Sequence, residues 1–331
     1  MELPNISTLK EDAAYALRRG REPKDLVFWY ALVTALIGAV LTLLNYYLGH
    51  QISSTGGLSG MGTRAFLSTF RNLLPILQTV ALSCLQLGYQ HGLMRICRRQ
   101  YADRTDLKRG FEKAFPLIRL LMLQGALVLA LCLLAYNISS ALYLLTPWAD
   151  SMMELIAPLA QDMTILDSGL VLSEEFLLQA TPLVMPMLAI WLVILLLLLI
   201  PLSYRMRFSA FCLLDEPAGR AFPALRTSFR MTRRNCRKLF RIDLSFWWYY
   251  VLTFLASLLG YLDMLLPMFG IYLPINETLS YFLFYGVYLA ASFTISYFFL
   301  NRVQSVFVMA YDSLREKPKT DGVVLGNIFD M

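Results

Sequence analysis

The chain has 331 residues, of which 57% are hydrophobic and 16% charged, with a formal net charge of +6. Globular domains average roughly 45–50% apolar and about 25% charged residues. An ordinary soluble enzyme, a disordered chain and a nucleic-acid binder are therefore poor fits, and an integral membrane protein is the expected class.

The first 25 residues read as a cytoplasmic arm carrying one short helix, with Thr8 and Glu11 as a capping box and Gly20 as its stop. A helix needs about 20 apolar residues to cross the hydrocarbon core. Uncharged runs near that length predict six spans at about 26–48, 72–94, 120–148, 183–204, 244–262 and 278–301. Runs such as Ile194 to Ile200 do not alternate as barrel strands would. The first run is too long for the core of a cleavable signal, so it is expected to remain as a span. The stretch 49–71, with Gly56, Gly57, Gly60 and Gly62, reads as a flexible outer loop. In the acidic outer link 149–181, Met152, Met153, Leu155, Ile156 and Leu159 suit a segment that lies on the membrane or caps the bundle. The six-span body thus covers 26–312, and 313–331 is a cytoplasmic tail, loose from Thr320 on.

The distribution of cations sets the orientation. Of the 29 Lys and Arg residues, only Arg64 and Arg71 fall in links expected outside. The rest lie in the N-terminal arm, the links after spans two and four, and the C-terminal segment. This is the positive-inside pattern, with both termini cytoplasmic. The expected partner of the positive charge is the anionic inner leaflet, not nucleic acid.

The link between spans four and five is the most informative. Asp215-Glu216-Pro217 reads as a helix start. On one continuous helical wheel, Phe222, Leu225, Phe229, Cys236, Leu239 and Phe240 share an apolar arc. Arg226, Arg230, Arg233, Arg234, Arg237 and Arg241 share the neighbouring one. A basic amphipathic cytoplasmic helix of this kind either grips anionic headgroups or packs its stripe on the bundle while the arginines hold topology.

A second polar feature is the row Gln78, Gln86, Gln90 and His91 in span two, with Gln124 and Asn137 in span three. Such side chains avoid lipid, and they serve either as interhelical glue or as the lining of a small polar path. Ala114-Phe115-Pro116 closing on Arg119, and Ala221-Phe222-Pro223 closing on Arg226, raise the question of an internal two-span repeat.

No catalytic or cofactor constellation is found. His50 and His91 have no Cys or His at zinc-ligand spacing. Phosphate-binding and dinucleotide-binding glycine loops and a nucleophile elbow are missing. Cys84, Cys97, Cys132, Cys212 and Cys236 fall in spans or on the reducing side, where disulfides are not expected.

Around 213–247 the chain resembles a known family. Leu213-Leu214-Asp215-Glu216-Pro217, Ala224-Leu225-Arg226 with Ser228, Met231, Lys238-Leu239-Phe240 and Asp243-Leu244-Ser245-Phe246-Trp247 resemble the signature of a bacterial integral membrane family, domain of unknown function 975. Weaker echoes are Asp106 to Phe111, and Ala310-Tyr311 with Leu314. The resemblance implies a multi-pass protein of the bacterial plasma membrane and transfers no catalytic residue. The expectation is a non-enzymatic scaffold or envelope-homeostasis factor that binds lipid or protein partners. The alternative is a small-solute transporter or channel subunit with a polar path between spans two and three.

Overall fold

The computed structural model describes residues 3–19, 23–54, 61–161, 174–216, 219–271 and 276–315. Among them every regular element is helical. In chain order these are α1 (Ile6–Arg19), α2 (Pro23–Ser54), α3 (Met61–Cys97), α4 (Asp106–Glu112), α5 (Ala114–Tyr143), α6 (Pro147–Gln161) and α7 (Glu174–Met206). They continue with α8 (Ser209–Asp215), α9 (Ala221–Thr232), α10 (Cys236–Leu244), α11 (Trp247–Leu259), α12 (Leu262–Met268) and α13 (Glu277–Ile295). A π-helical turn, Ser296–Leu300, then leads into α14 (Asn301–Leu314).

Among the described residues, five stretches are long and apolar enough to cross a bilayer: Lys24–Ser54, Gly62–Cys97, Ala114–Tyr143, Gln179–Asp215 and Thr278–Leu314. The expected crossing at 244–262 is interrupted. α10 and α11 meet at a 63° bend, and the pair has span length only if counted as one. Alone, the 13 residues of α11 rise only about 20 Å, short of the ~30 Å hydrocarbon core. At the bend the Ser245 hydroxyl donates to the Ile242 carbonyl at 2.6 Å, a local bond that competes with helix propagation. The Tyr250 hydroxyl donates to Asp243 across the same bend.

Two further expectations are corrected. The supposed outer loop 49–71 is largely helix: α2 runs to Ser54 and α3 begins at Met61. Arg64 donates to the Ile52 carbonyl at 3.2 Å and Arg71 to Asn45 at 2.9 Å, tying the two helices as a hairpin. Gly56, Gly57 and Gly60 lie outside the described residues. The arm's helix starts at Asn5 rather than at a Thr8 capping box. Asn5 Oδ1 accepts from the Ile6 amide at 2.8 Å, and the Thr8 hydroxyl donates to the Asn5 carbonyl at 2.9 Å. Gly20 and the tail from Thr320 lie outside the described residues. Finally, the two Ala-Phe-Pro segments start helices of different kinds, the 30-residue α5 and the 12-residue α9. Proline in the first turn loses no hydrogen bond, so both segments can open a helix.

The chain divides into two compact units, 1–119 with 208–331, and 120–207. In the second, the Tyr143 hydroxyl reaches the Trp148 carbonyl at 3.1 Å and the Leu183 carbonyl at 2.9 Å, joining α5, α6 and α7. The Leu183 contact falls in the turn where Pro186 supplies no amide hydrogen. In the α6 segment Met153 is exposed. Ile156 and Leu159 belong to the part of α6 whose side chains are not described.

In the first unit the core sits at one end of the helices. Leu26, Val27 and Ala31 of α2, Leu87, Tyr89 and Leu93 of α3, and Val303, Phe307 and Val308 of α14 are all buried, as are Phe208 and Leu213. Further along α2, Leu36, Val40 and Leu43 are more than half exposed. Apolar area at that density is what lipid covers. Glycine permits the tightest crossing in this core. A Cβ at Gly110 of α4 would collide with the Cys84 carbonyl of α3, and one at Gly88 with the Leu107 backbone.

Candidate anion-binding site at the converging helix ends

α3, α8 and α14 end within side-chain reach of one another. Their C-termini concentrate unpaired carbonyls and the negative ends of helix dipoles, so cations are favoured there. α3 stops in a Schellman motif: the Gln100 amide donates to the Arg95 carbonyl at 2.8 Å and the Arg99 amide to Ile96 at 3.0 Å. Arg99 takes the left-handed conformation, φ +61°, that the motif requires. That turn leaves Arg98 at the helix end, facing the ends of α8 and α14.

Arg98 holds two carboxylates. Its Nη1 and Nη2 each lie 2.9 Å from an oxygen of Asp215, and Nη2 lies 2.6 Å from Asp312. Asp215 also accepts from the Tyr311 hydroxyl at 2.9 Å and from Arg315 at 2.9 Å. Hydrogen bonding to Asp215, then to Asp312, raises the Arg98 pKa above its ordinary value despite burial. Lys113 completes the group by donating to the Leu213 and Leu214 carbonyls at 3.2 and 2.9 Å. Burial lowers the Lys113 pKa, opposed by Asp215 and Glu216. Asp215, expected to start a helix, instead ends α8 and is the hub of this network.

A second acid lies close by. Asp106, 1% exposed, accepts from Arg95 Nη1 at 2.9 Å and from the Asp103 amide at 3.0 Å. His91 Nδ1 is 3.2 Å away, off the line of a hydrogen bond, and Arg109 lies 3.8 Å away. A cavity of about 270 Å³ is lined by His91, Arg95, Arg98, Arg109 and Asp215.

On the other side of Asp215 opens a larger cleft, about 490 Å³. One wall is the end of α8 with Tyr311 and Arg315 of the last helix. The other is α9 and the turn after it, including Thr227, Arg230, Arg233, Arg234 and Asn235.

The expected single amphipathic helix is two helices. α9 ends at Thr232, residues 233–235 form a turn, and α10 begins at Cys236. The break is stabilised by Asn235, which is buried and accepts from the Leu3 amide at 3.3 Å. Lys238 donates to the Leu3 carbonyl at 2.9 Å, so the N-terminal arm docks on this turn. Leu225 and Leu239 are buried, as the apolar stripe expects, and so is Ile242, which the stripe did not include. Phe222 and Phe240 are not, at 64% and 47% exposure. The break resets the helical phase and turns Phe240 outward, while Phe222 is exposed in the first turn of α9.

Arg226, Arg230, Arg233, Arg234, Arg237 and Arg241 are all exposed. None is ion-paired with a described residue. The members of the polar row differ in burial. Gln86 is exposed, Gln78 half-buried, and Gln90 buried with an Oε1 that has no hydrogen-bond partner among the described residues. His91 lies against Asp106. In the other unit Gln124 is half-buried, and Asn137, exposed, donates to the Leu133 carbonyl of its own helix at 2.7 Å.

Sequence reasoning passed over Arg98, Asp312, Tyr311 and Arg315. A signal existed: Asp215 and Asp312 each end an apolar run, Phe211 to Leu214 and Val306 to Tyr311, in a chain whose inner links are strongly basic, where a carboxylate finds a cation. A scan against protein-family models, a search of curated proteins and a search of solved structures each returned no match.

Proposed function

We propose that this is a non-enzymatic, multi-pass protein of the bacterial plasma membrane that holds anionic lipid headgroups at the inner leaflet. In this reading six segments cross, the α10–α11 pair being the bent fifth, and both termini are cytoplasmic. The resemblance to the family of domain of unknown function 975 is part of the same proposal. The docking of Leu3 on Asn235 and Lys238, and the junction of Arg98 with Asp312, support a common side for the N-terminal arm, the arginine link and the end of the last helix.

One observation carries the lipid reading. Phe222, Phe240, Leu244 and Trp247 are exposed on the same short stretch as unpaired Arg226, Arg237 and Arg241. Had the stripe served only to pack on the bundle, these rings would be buried. Exposed aromatic rings between arginines match an interfacial segment, with rings at the acyl boundary and guanidiniums on phosphates.

The test replaces Arg226, Arg237 and Arg241 with Gln and measures binding of short-chain phosphatidylglycerol and phosphatidylcholine to the detergent-solubilised full chain. Each basic residue near an anionic surface is worth about 1 kcal/mol. The triple variant is expected to lose roughly 3 kcal/mol of phosphatidylglycerol binding and none for phosphatidylcholine. Unchanged binding of the anionic lipid would overturn the reading.

A further inference from the structure

We infer that the cleft between Asp215 and the α9–α10 turn is a separate site for a phosphate monoester. It rests on the proposed function only in requiring this face to be accessible at headgroup level.

The cleft has an uncompensated positive wall. Arg230, Arg233 and Arg234 are one turn apart or less, exposed, and paired with no described acid. Like charges lining one cleft repel each other, so their grouping is unfavourable unless something anionic sits among them. The opposite wall carries Asp215, which would ordinarily repel such a ligand. Its oxygens are already committed to Arg98, Arg315 and Tyr311. The balance follows directly. Among the residues that line the cleft, Arg230, Arg233, Arg234 and Arg315 face Asp215 and Glu216, leaving two positive charges for the ligand to neutralise.

A dianion fits that remainder. Phosphate monoesters carry nearly two negative charges at neutral pH and offer three strong acceptor oxygens, whereas a diester headgroup carries one charge. Guanidiniums match phosphate oxygens by paired donation, and the Thr227 hydroxyl adds a neutral donor. At about 490 Å³ the cleft has room for more than the phosphoryl group itself and falls in the size range of small-molecule sites. The esterified alcohol therefore sits inside too, near Glu216, which ion-pairs with no described residue and accepts hydrogen bonds from hydroxyls. The shared chemistry, a phosphomonoester on a small polar alcohol, is that of a soluble sugar or glycerol phosphate and of a monoester lipid headgroup.

The experiment titrates the detergent-solubilised full chain with inorganic phosphate, glycerol 3-phosphate, short-chain phosphatidic acid and short-chain phosphatidylglycerol. Monoesters are expected to bind the wild type at least about tenfold more tightly than phosphatidylglycerol, and to weaken as pH falls through the second phosphate pKa near about 6. R233Q/R234Q should lose about tenfold or more for monoesters while changing phosphatidylglycerol binding by less than about threefold. R233K/R234K, which keeps the charge, should recover part of the loss, and matched thermal melts exclude unfolding. R226Q/R237Q/R241Q should do the converse, weakening phosphatidylglycerol and sparing monoesters. Binding of glycerol 3-phosphate as tight as that of phosphatidic acid identifies a soluble ligand; binding of phosphatidic acid alone identifies a headgroup. Equal affinity for monoester and diester, or a parallel loss of both in R233Q/R234Q, overturns the cleft inference and leaves the headgroup reading standing. If phosphatidylglycerol does not bind but monoesters do, the headgroup reading fails and the cleft stands. No binding of any anion overturns both.

Discussion

Arg98 and Asp215, 117 positions apart in sequence, meet in a two-point pair with both N–O distances at 2.9 Å. The pair joins the end of α3 to the end of α8, and through Asp312 to α14 as well. Arg98 and the two acids are only partly exposed, at 28%, 17% and 25% of their side-chain surface. Removing the cation leaves two neighbouring carboxylates facing each other. Arg98→Gln is expected to destabilise the chain by about 2 kcal/mol or more. Adding Asp215→Asn and Asp312→Asn to that variant should restore part of the loss, because the facing carboxylates are gone and Arg315, which loses Asp215, is 45% exposed to solvent. Thermal melts of the single and triple variants check this; a triple variant no better than the single one refutes it.

The crossing of α3 and α4 depends on two residues without side chains. Gly110→Ala pushes a methyl into the Cys84 carbonyl, and backbone cannot yield as a flexible side chain can. The expected cost is about 1–3 kcal/mol, with Gly88→Ala behaving alike. Gly125 of α5 is the control, since a methyl there meets nothing within 4 Å. Gly125→Ala should be neutral or gain up to about 1 kcal/mol from helix propensity. Melting temperatures of the three variants decide it.

Arg99 holds a left-handed backbone that costs an L-residue about 1–2 kcal/mol, and it makes no ion pair with a described residue. Arg99→Gly should therefore raise stability by roughly 1 kcal/mol. A fall in melting temperature would mean that the Arg99 side chain contributes a contact outweighing the strain.

The orientation has a direct readout. Single cysteines introduced at Arg315 and at Asn5 should react with a membrane-impermeant thiol reagent only after the inner face of the membrane is opened. One introduced at Trp148 should react in intact cells with the outer envelope permeabilised. The assay is run in a background lacking the five native cysteines, all of which are free thiols. Labelling of Asn5 and Arg315 on different sides would refute a common side for the termini.

The helices were legible in the sequence because long uncharged runs have few alternatives in lipid. Lys24–Ser54 and Ala114–Tyr143 enclose or overlap the predicted spans 26–48 and 120–148 for this reason. Helix ends were less legible. Ser53 and Ser54 extend α2 by bonding back to His50 and Gln51, a local choice that composition does not reveal. The α9–α10 break was missed because wheel arithmetic assumes continuous phase. Asn235 breaks that phase through a bond to Leu3, at the other end of the chain, and no local pattern encodes such a partner. The arginines of the candidate site were found from sequence, since charge clustering is visible there. The opposing wall, with Tyr311 and Arg315, was not, because it is assembled from segments nearly a hundred residues away.

The one-sided core of the first unit has a consequence for the membrane itself. Near Leu93 and Phe307 protein packs on protein, whereas toward Leu36 and Leu43 the surrounding acyl chains supply much of the contact. At that far end the helices are joined by Tyr46, bonded to Thr278 at 2.8 Å and stacked on Tyr281. A change in bilayer thickness is accommodated where stiffness is lowest. Thinner lipid is therefore expected to act on the lipid-covered stretches around Leu36 and Leu43 more than on the Arg98 joint.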